Sequence, residues 1–257
     1  MEPPIRDDEF FIGYAPPMPA GLARFIRWFV IGLLLAVVAW AAMVALGHVA
    51  LEGGRFEFGH PQRFTGTIVE RPYPALQLDG IDRSQTALLV ASGKHGADAL
   101  IRGLDGRSVS VTGTRIQRGA LTMIELEPRS VKLRDGLAPS LGTAATYSGP
   151  FGAAPVTVKG EIVDSKCFLG VMVPGSGKTH KDCASLCLRG GIPPALFVQD
   201  RAGESALMLL TGASGDAIDA RALQGAGEAV EMFGMAQRQG GWLVLRTDAR
   251  TWRTAIQ

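Results

Sequence analysis

Two similar stretches, RFTGTIVE at 63–70 and VTVKGEIVD at 156–164, decide the fold of this chain. In each, polar residues alternate with β-branched or aromatic ones, as in a half-buried strand. A glycine stands at the same place in both, Gly66 in the first and Gly160 in the second. Because the segments after them also recur in the same order, the sequence predicts two similar structural units.

The recurring segments are short strands and one short helix per copy. The strand TALLV at 86–90 is matched with ALFVQD at 195–200. The helical stretch 97–104 is matched with 216–223. The second copy has one additional strand, ALMLL at 206–210. Two further strands in each copy flank a hairpin turn: 108–116 and 121–126 around Gln117–Ala120, then 228–236 and 242–247 around Arg238–Gly241. This order predicts a mainly β protein with two small OB-like barrels in tandem, at 60–134 and 156–257. Gly66, Gly113, Gly160 and Gly234 lie inside strands, which predicts bulges or corners where a sheet closes on itself.

Between the copies, residues 135–155 read DGLAPSLGTAATYSGPFGAAP. The stretch is small, rich in Gly and Pro and nearly uncharged, which predicts a linker.

Composition excludes several classes of protein. The 257 residues are 47% hydrophobic and 19% charged, with a net charge of +2, so the chain is not intrinsically disordered. The 33 glycines and 15 prolines argue against long helices or a coiled coil. A charge this close to balance, with few aromatic residues for base stacking, predicts no nucleic-acid partner.

One segment is apolar enough to cross a membrane. From Trp28 to Gly47 no residue is charged, and the uncharged run continues to Leu51 apart from His48. About 20 helical residues span the roughly 30 Å of a bilayer core, so residues 28–51 are predicted to form a transmembrane helix. Arg24 and Arg27 lie at its N-terminal edge, which favours a cytoplasmic N-terminus and a periplasmic main body in the inner membrane.

The first 27 residues are predicted to be a cytoplasmic tail. Prolines prevent a regular helix in FFIGYAPPMPAG. Its exposed aromatic residues, with two tryptophans of the apolar segment, are candidates for contact with the lipid bilayer or for docking on membrane protein subunits: Phe10, Phe11, Tyr14, Trp28 and Trp40.

All three cysteines lie in an insertion of the second copy, residues 164–194. A capping box from Thr179 to Asp182 and the Gly190–Gly191 pair predict a short helix over 180–189. The spacing of three and then four residues would place His180, Cys183 and Cys187 on one helix face, with Cys167 arriving from the end of the preceding strand.

Three interpretations of this cluster compete. Outside the cytoplasm, a disulfide from Cys167 to the helix would pin the insertion, with the third cysteine buried. Three sulfurs and an imidazole also suit zinc, and soft sulfur suits copper(I), so either is a possible cofactor. Alternatively, Cys183 near the helix N-terminus and close to lysines would be a reactive thiol.

The loop before this helix resembles a phosphate-binding loop without being one. Gly175, Ser176, Gly177 and Lys178 precede the helix, but the full motif needs a glycine where Met172 stands. No nucleotide is therefore expected, although the backbone amides could bind another anion. No residue set predicts catalysis, and an enzyme is the less favoured class.

The run VDSKCFLGVM…PGSGKTHKDCASLCLRGGIPPALFV resembles a group of uncharacterised bacterial proteins with an OB-like extracytoplasmic domain. Their pattern is DS-[KY]-C, then H-x2-CA-x2-C, then GIP before a strand, and the FFIGY…MP tail with one membrane helix resembles their membrane-anchored branch. The resemblance covers the second copy and the N-terminus well and the first copy loosely. It implies a non-catalytic, membrane-anchored accessory or scaffold subunit beside a redox complex. A metal-binding or thiol-redox protein acting through Cys167, His180, Cys183 and Cys187 is the alternative.

Overall fold

The computed structural model describes residues 18–50, 53–80, 85–134, 152–200, 204–218, 223 and 225–254. It divides into two compact units, residues 1–52 and residues 53–257. The first unit contains helix α1 (Ala20–Ala50), which begins directly after Pro19. Over Ala20–Ala45 this helix is long and apolar enough to span a membrane, a criterion that a signal sequence near an N-terminus also meets. Trp28 and Trp40 lie on it, each with about two-thirds of its surface exposed.

The second unit begins with a closed five-stranded barrel. Its elements are β1 (Arg55–Phe56), β2 (Gln62–Val69), β3 (Ala75–Leu78), β4 (Thr86–Val90), α2 (Asp98–Ile101), β5 (Ser108–Arg118), β6 (Leu121–Leu126) and β7 (Lys132–Leu133). The closed order is β2-β3-β4-β6-β5, with β5 returning to β2. Only β4 and β6 pair in parallel within this ring, so this is the five-stranded OB-like barrel that the repeat predicts.

A second barrel repeats this topology. Its elements are β8 (Ala154–Asp164), a π-helical turn (Cys167–Val171), a 3₁₀ turn (Lys178–His180), α3 (Lys181–Arg189), β9 (Pro194–Gln199), β10 (Ser205–Gly212), β11 (Ala229–Gln239), β12 (Trp242–Thr247), a second 3₁₀ turn (Ala249–Thr251) and β13 (Arg253–Thr254). The closed order is β8-β9-β10-β12-β11, and β10 pairs with β12 in parallel. Two tandem OB-like barrels after one N-terminal helix confirm the predicted fold class.

The glycines inside the strands occupy equivalent places in the two barrels. A Cβ on Gly66 would lie 2.1 Å from a carbonyl oxygen of the neighbouring strand, and one on Gly160 would lie 2.4 Å from the equivalent oxygen. For Gly113 and Gly234 the corresponding distances are 2.5 and 2.3 Å. Four strand glycines therefore permit the same two close backbone approaches in each barrel, as their recurrence in the sequence indicates.

Several sequence-based assignments need correction or completion. Residues 195–200 do not correspond to 86–90, because β9 occupies the place of β3 and β10 the place of β4. Strand β3 is a finding of the structure and was not predicted from the sequence. The helix expected at 216–223 falls largely outside the described residues, and its first three residues are not helical. Most of the expected linker, residues 135–151, also lies outside them, and β8 begins at Ala154.

The described residues of the second unit form three apolar cores. One fills each barrel, around Ile68 and Leu89 in the first and around Ile162 and Leu210 in the second. The third lies between the barrels and contains seventeen buried residues from both, among them Cys167. Because burial of apolar surface drives association, this shared core joins the barrels and places the cysteine insertion at their junction.

Polar contacts reinforce this junction. The Tyr73 hydroxyl of the first barrel donates to the Leu210 carbonyl at 2.8 Å and accepts from the Ile218 amide at 3.1 Å. Burial raises the pKa of Tyr73 to about 12. The Trp242 indole of the second barrel donates to the Thr86 carbonyl of the first at 2.9 Å. These bonds satisfy polar groups that the apolar core removes from water.

Candidate metal centre at the barrel junction

The site begins with four consecutive buried residues, Asp164–Cys167, of which none is more than 5% exposed. Asp164 ends β8, and its Oδ1 accepts a hydrogen bond from the Cys167 amide at 2.8 Å. The Ser165 hydroxyl donates to the Pro193 carbonyl at 2.7 Å. The turn after the strand is thus closed by its own side chains, and Cys167 is fixed at the base of the insertion.

Asp164 also orients the histidine of the cluster. Its Oδ2 lies 2.9 Å from His180 Nε2, and the exposed fractions of the two side chains are 0% and 3%. An imidazole that donates from Nε2 to a carboxylate leaves Nδ1 as the nitrogen that can bind a metal. A carboxylate in this position is the usual partner of a metal-binding histidine.

Helix α3 presents the other two cysteines. Cys183 and Cys187 lie one turn apart, the first half-buried and the second 2% exposed. The helix ends where predicted, since the Gly190 amide bonds the Leu186 carbonyl. The predicted capping box from Thr179 to Asp182 is wrong, because a 3₁₀ turn precedes α3 and no side chain caps it.

The potential ligand atoms form two overlapping groups. Cys167 Sγ, a ring nitrogen of His180 and Cys183 Sγ lie within 4.8 Å of one another. A carboxylate oxygen of Asp164, Cys167 Sγ and Cys187 Sγ form a second group within the same limit. Ligand atoms around tetrahedral zinc are roughly 3.5–3.8 Å apart, so small rotamer changes would close either group around an ion.

All three cysteines are among the described residues, and all are free. The structure therefore contains no disulfide among these cysteines. It contains instead a cluster that is geometrically able to bind a metal. The Cys167 thiol donates a hydrogen bond to the Cys187 sulfur, which lowers the pKa of Cys187 and raises that of Cys167. The thiolate form, which is the form that binds soft metals, is therefore favoured at Cys187 over Cys167.

The first barrel supplies a cation to the cluster. The Lys94 ammonium donates to Cys183 Sγ at 2.9 Å, and this bond raises the pKa of Lys94. The backbone near Lys94 is held by Lys166, whose Nζ donates to the carbonyls of Ala91 and Gly93 at 2.9 and 2.6 Å. Lys166 is also ion-paired with Glu125 of β6. Both barrels therefore build the site.

The structure brings together all four predicted residues: Cys167, His180, Cys183 and Cys187. Three further residues contribute to the site without having been predicted: Asp164, Lys94 and Lys166. Asp164 had a signal, because it opens the DSKC pattern. Lys94 lies in the 91–96 loop, and only the folded chain brings it to Cys183.

The remaining candidates are the anion-binding loop and the membrane-docking aromatic residues. In the predicted anion-binding loop, the Gly177 amide donates to the Glu161 carboxylate at 2.6 Å, so an internal acceptor takes one of the amides that Gly175–Lys178 would offer. Docking through Trp28 and Trp40 remains a prediction. Phe10, Phe11 and Tyr14 lie outside the described residues.

No protein-family model, curated protein or solved structure matches this chain.

Proposed function

We propose that this protein is a membrane-anchored, non-catalytic metal-binding protein whose cluster at the barrel junction holds one zinc ion. The observation that carries the proposal is the double role of Cys167, whose sulfur belongs to both groups of potential ligands. Three thiolates and one imidazole are a ligand set of closed, structural zinc sites. Copper(I), which soft sulfur also binds, is the alternative ion.

Charge around the cluster supports an ion with several thiolate ligands. Zn²⁺ with three thiolates and a neutral histidine carries a net charge of −1. The Lys94 ammonium, 2.9 Å from Cys183 Sγ, would compensate this charge at the half-buried edge of the site. Asp164 would act as the outer partner of His180 rather than as a fifth ligand.

The proposed location is the inner membrane, with α1 as its single span. Arg24 and Arg27 precede the apolar run and favour a cytoplasmic N-terminus, so the barrels would lie in the periplasm. Thiols in that compartment tend to oxidise, and bound metal would keep three adjacent cysteines reduced.

Metal content tests this proposal. The full chain, purified in mild detergent without chelators, is expected to contain about one zinc per chain by elemental mass spectrometry. A Ser185→Ala variant, altered on the same helix outside both ligand groups, should retain it. If the purified chain contained one equivalent of copper in place of zinc, the metal site would stand and copper would be its ion. Metal at background level, with a Cys167 disulfide in the peptide map, would rule the proposal out.

A second candidate is the accessory or scaffold subunit of a membrane redox complex. The observation that favours it is exposed apolar surface: Phe233 and Met235 alternate on the outer face of β11, with exposed fractions of 59% and 37%. Together with the apolar surface of α1, such side chains suit contact with membrane protein partners.

Co-purification tests the second candidate. Gentle detergent extraction of the tagged full chain from its native membrane should recover stoichiometric partner chains. A Phe233→Ser variant should recover fewer of them, because it removes a large exposed apolar group. Phe58→Ser is the matched control, since Phe58 is also largely exposed but lies on the first barrel. A clean monomer from the unaltered protein would contradict the accessory role.

A further inference from the structure

A cavity lies between the barrels, and none of its lining residues belongs to the cysteine cluster. It has a volume of about 230 Å³. Arg71 and Pro72 of the first barrel line it from one side, and residues of β10, β11 and β12 line it from the other.

The cavity forms where an apolar face becomes polar. On β10, Leu207 and Leu209 belong to the core between the barrels, and the next residue on that face is Thr211. On β12, Trp242 and Val244 belong to the same core, and Arg246 follows them. Thr211 and Arg246 are register partners in the parallel β10–β12 pair. Two polar side chains therefore replace the apolar row at the same level of the sheet.

Two buried polar atoms there have no hydrogen-bond partner among the described residues. Thr211 is only 2% exposed, and its buried Oγ1 makes no hydrogen bond within the described part of the chain. The Nε of Arg246 is likewise buried and unbonded, although the same guanidinium donates to the Ala213 carbonyl at 3.0 Å. A buried hydroxyl or N–H without a partner costs free energy, so both atoms favour a ligand that would bond them.

The lining selects an anion. Two guanidinium groups, from Arg71 and Arg246, share the cavity with the amides of Gln237 and Gln239, and no carboxylate belongs to the described lining. The Ser214 hydroxyl also lines the cavity and donates to Asp216, an exposed carboxylate beside the rim. With two arginines, a threonine hydroxyl and two amides, the lining offers more donors than the two oxygens of a carboxylate need. A tetrahedral oxyanion matches it better.

We propose that this cavity between the barrels binds a small tetrahedral oxyanion of the phosphate class, held by Arg71, Arg246 and Thr211. The site is distinct from the proposed metal centre and does not depend on it. The ligand would bridge the two barrels, because Arg71 and Arg246 come from different ones.

Calorimetric titration of the full chain in detergent tests this proposal. Inorganic phosphate and sulfate are expected to bind saturably at one site, and acetate at equal ionic strength more weakly. Glycerol phosphate distinguishes a free anion from a phosphomonoester headgroup: tighter binding than inorganic phosphate would assign the ester form, and weaker binding the free anion. Either of these results supports the site. No saturable binding of any of the three tetrahedral anions, or tighter binding of acetate, would overturn it.

Variants locate the binding. Arg246→Gln and Arg71→Gln should each weaken phosphate binding at least about tenfold, because each removes a charge-assisted contact. Arg238→Gln is the matched control: Arg238 is exposed on the same strand as Gln237 and Gln239 but points to the other face. It should change binding less than about twofold.

Thr211→Val should weaken phosphate binding while leaving the thermal midpoint unchanged or raised, because it deletes an unbonded buried hydroxyl. Unchanged phosphate affinity in Arg246→Gln and Thr211→Val would overturn the assignment.

Discussion

Cys167→Ser is expected to abolish metal binding, and to do so more completely than a change at either cysteine of α3. Cys167 Sγ belongs to both groups of potential ligands, whereas Cys183 and Cys187 each belong to one. Without Cys183 or Cys187, the remaining sulfurs and His180 can still surround an ion. Without Cys167, neither group retains more than two of its members.

The expected order of affinities follows from these roles. Loss of an outer-shell partner typically costs about 10–100-fold in metal affinity, so Asp164→Asn should fall in that range if Asp164 only orients His180. Cys183→Ser and Cys187→Ser should lose more than Asp164→Asn, and Cys167→Ser should leave no measurable site. Competition with a coloured chelator gives each affinity, and cobalt substitution reports the number of thiolates from its charge-transfer absorption.

Cys167 also packs in the core between the barrels, so its variant needs a test of folding. Cys167→Ala keeps an apolar side chain there and should lose metal as Cys167→Ser does. Ser185→Ala should bind metal normally. If Cys167→Ala retained one equivalent of metal, the shared role of Cys167 would be wrong.

The barrels were predictable because their repeated features are local. Each strand glycine costs stability unless a close backbone approach requires it. Gly66 and Gly160, like Gly113 and Gly234, therefore mark the same points of two barrels. The hairpin turns before β6 and β12 also follow from neighbouring residues.

Strand β3 was not predictable in this way. Its four residues, Ala75–Leu78, show no clear alternation, and their burial pattern is two buried residues followed by two half-buried ones. The strand forms because β2 and β4 both pair with it and close the barrel. Tertiary pairing, rather than local preference, fixes such a segment. Because β3 was not predicted, residues 195–200 were matched with β4 instead of with β3.

The candidate site likewise has one part that the sequence predicts and one part that it does not. Helical spacing placed His180, Cys183 and Cys187 together, since all three lie within eight residues. The contact of Lys94 with Cys183 joins residues 89 positions apart, and no pattern within either segment indicates it. The interface between the barrels brings them together, and the repeat in the sequence predicts each barrel only by itself.

Lys166→Met is expected to destabilise the junction by about 3–5 kcal/mol. The lysine side chain is 3% exposed, and Glu125, its partner, is 18% exposed. Methionine is similar in length but leaves a largely buried carboxylate without its cation. It also leaves the carbonyls of Ala91 and Gly93 without a donor.

Denaturant unfolding followed by tryptophan fluorescence measures the loss of stability, and Lys159→Met is the control. Lys159 is exposed and lies 3.8 Å from Glu231, and such a pair contributes only about 0–1 kcal/mol.

A double variant separates the ion pair from the packing around it. Replacing one member of a buried pair leaves an unpaired charge, whereas replacing both members with uncharged residues leaves none. Lys166→Met with Glu125→Gln should therefore recover part of the stability lost in Lys166→Met alone. With Glu125→Gln measured as the other single variant, the double-mutant cycle gives the coupling energy of the pair. In both variants the backbone near Lys94 lacks its Lys166 contacts. We therefore expect both to bind metal more weakly than the unaltered protein, although the double variant recovers part of the stability. Stability and metal affinity returning together would show instead that the Glu125 charge, rather than the anchoring of the 91–96 loop, controls the metal centre.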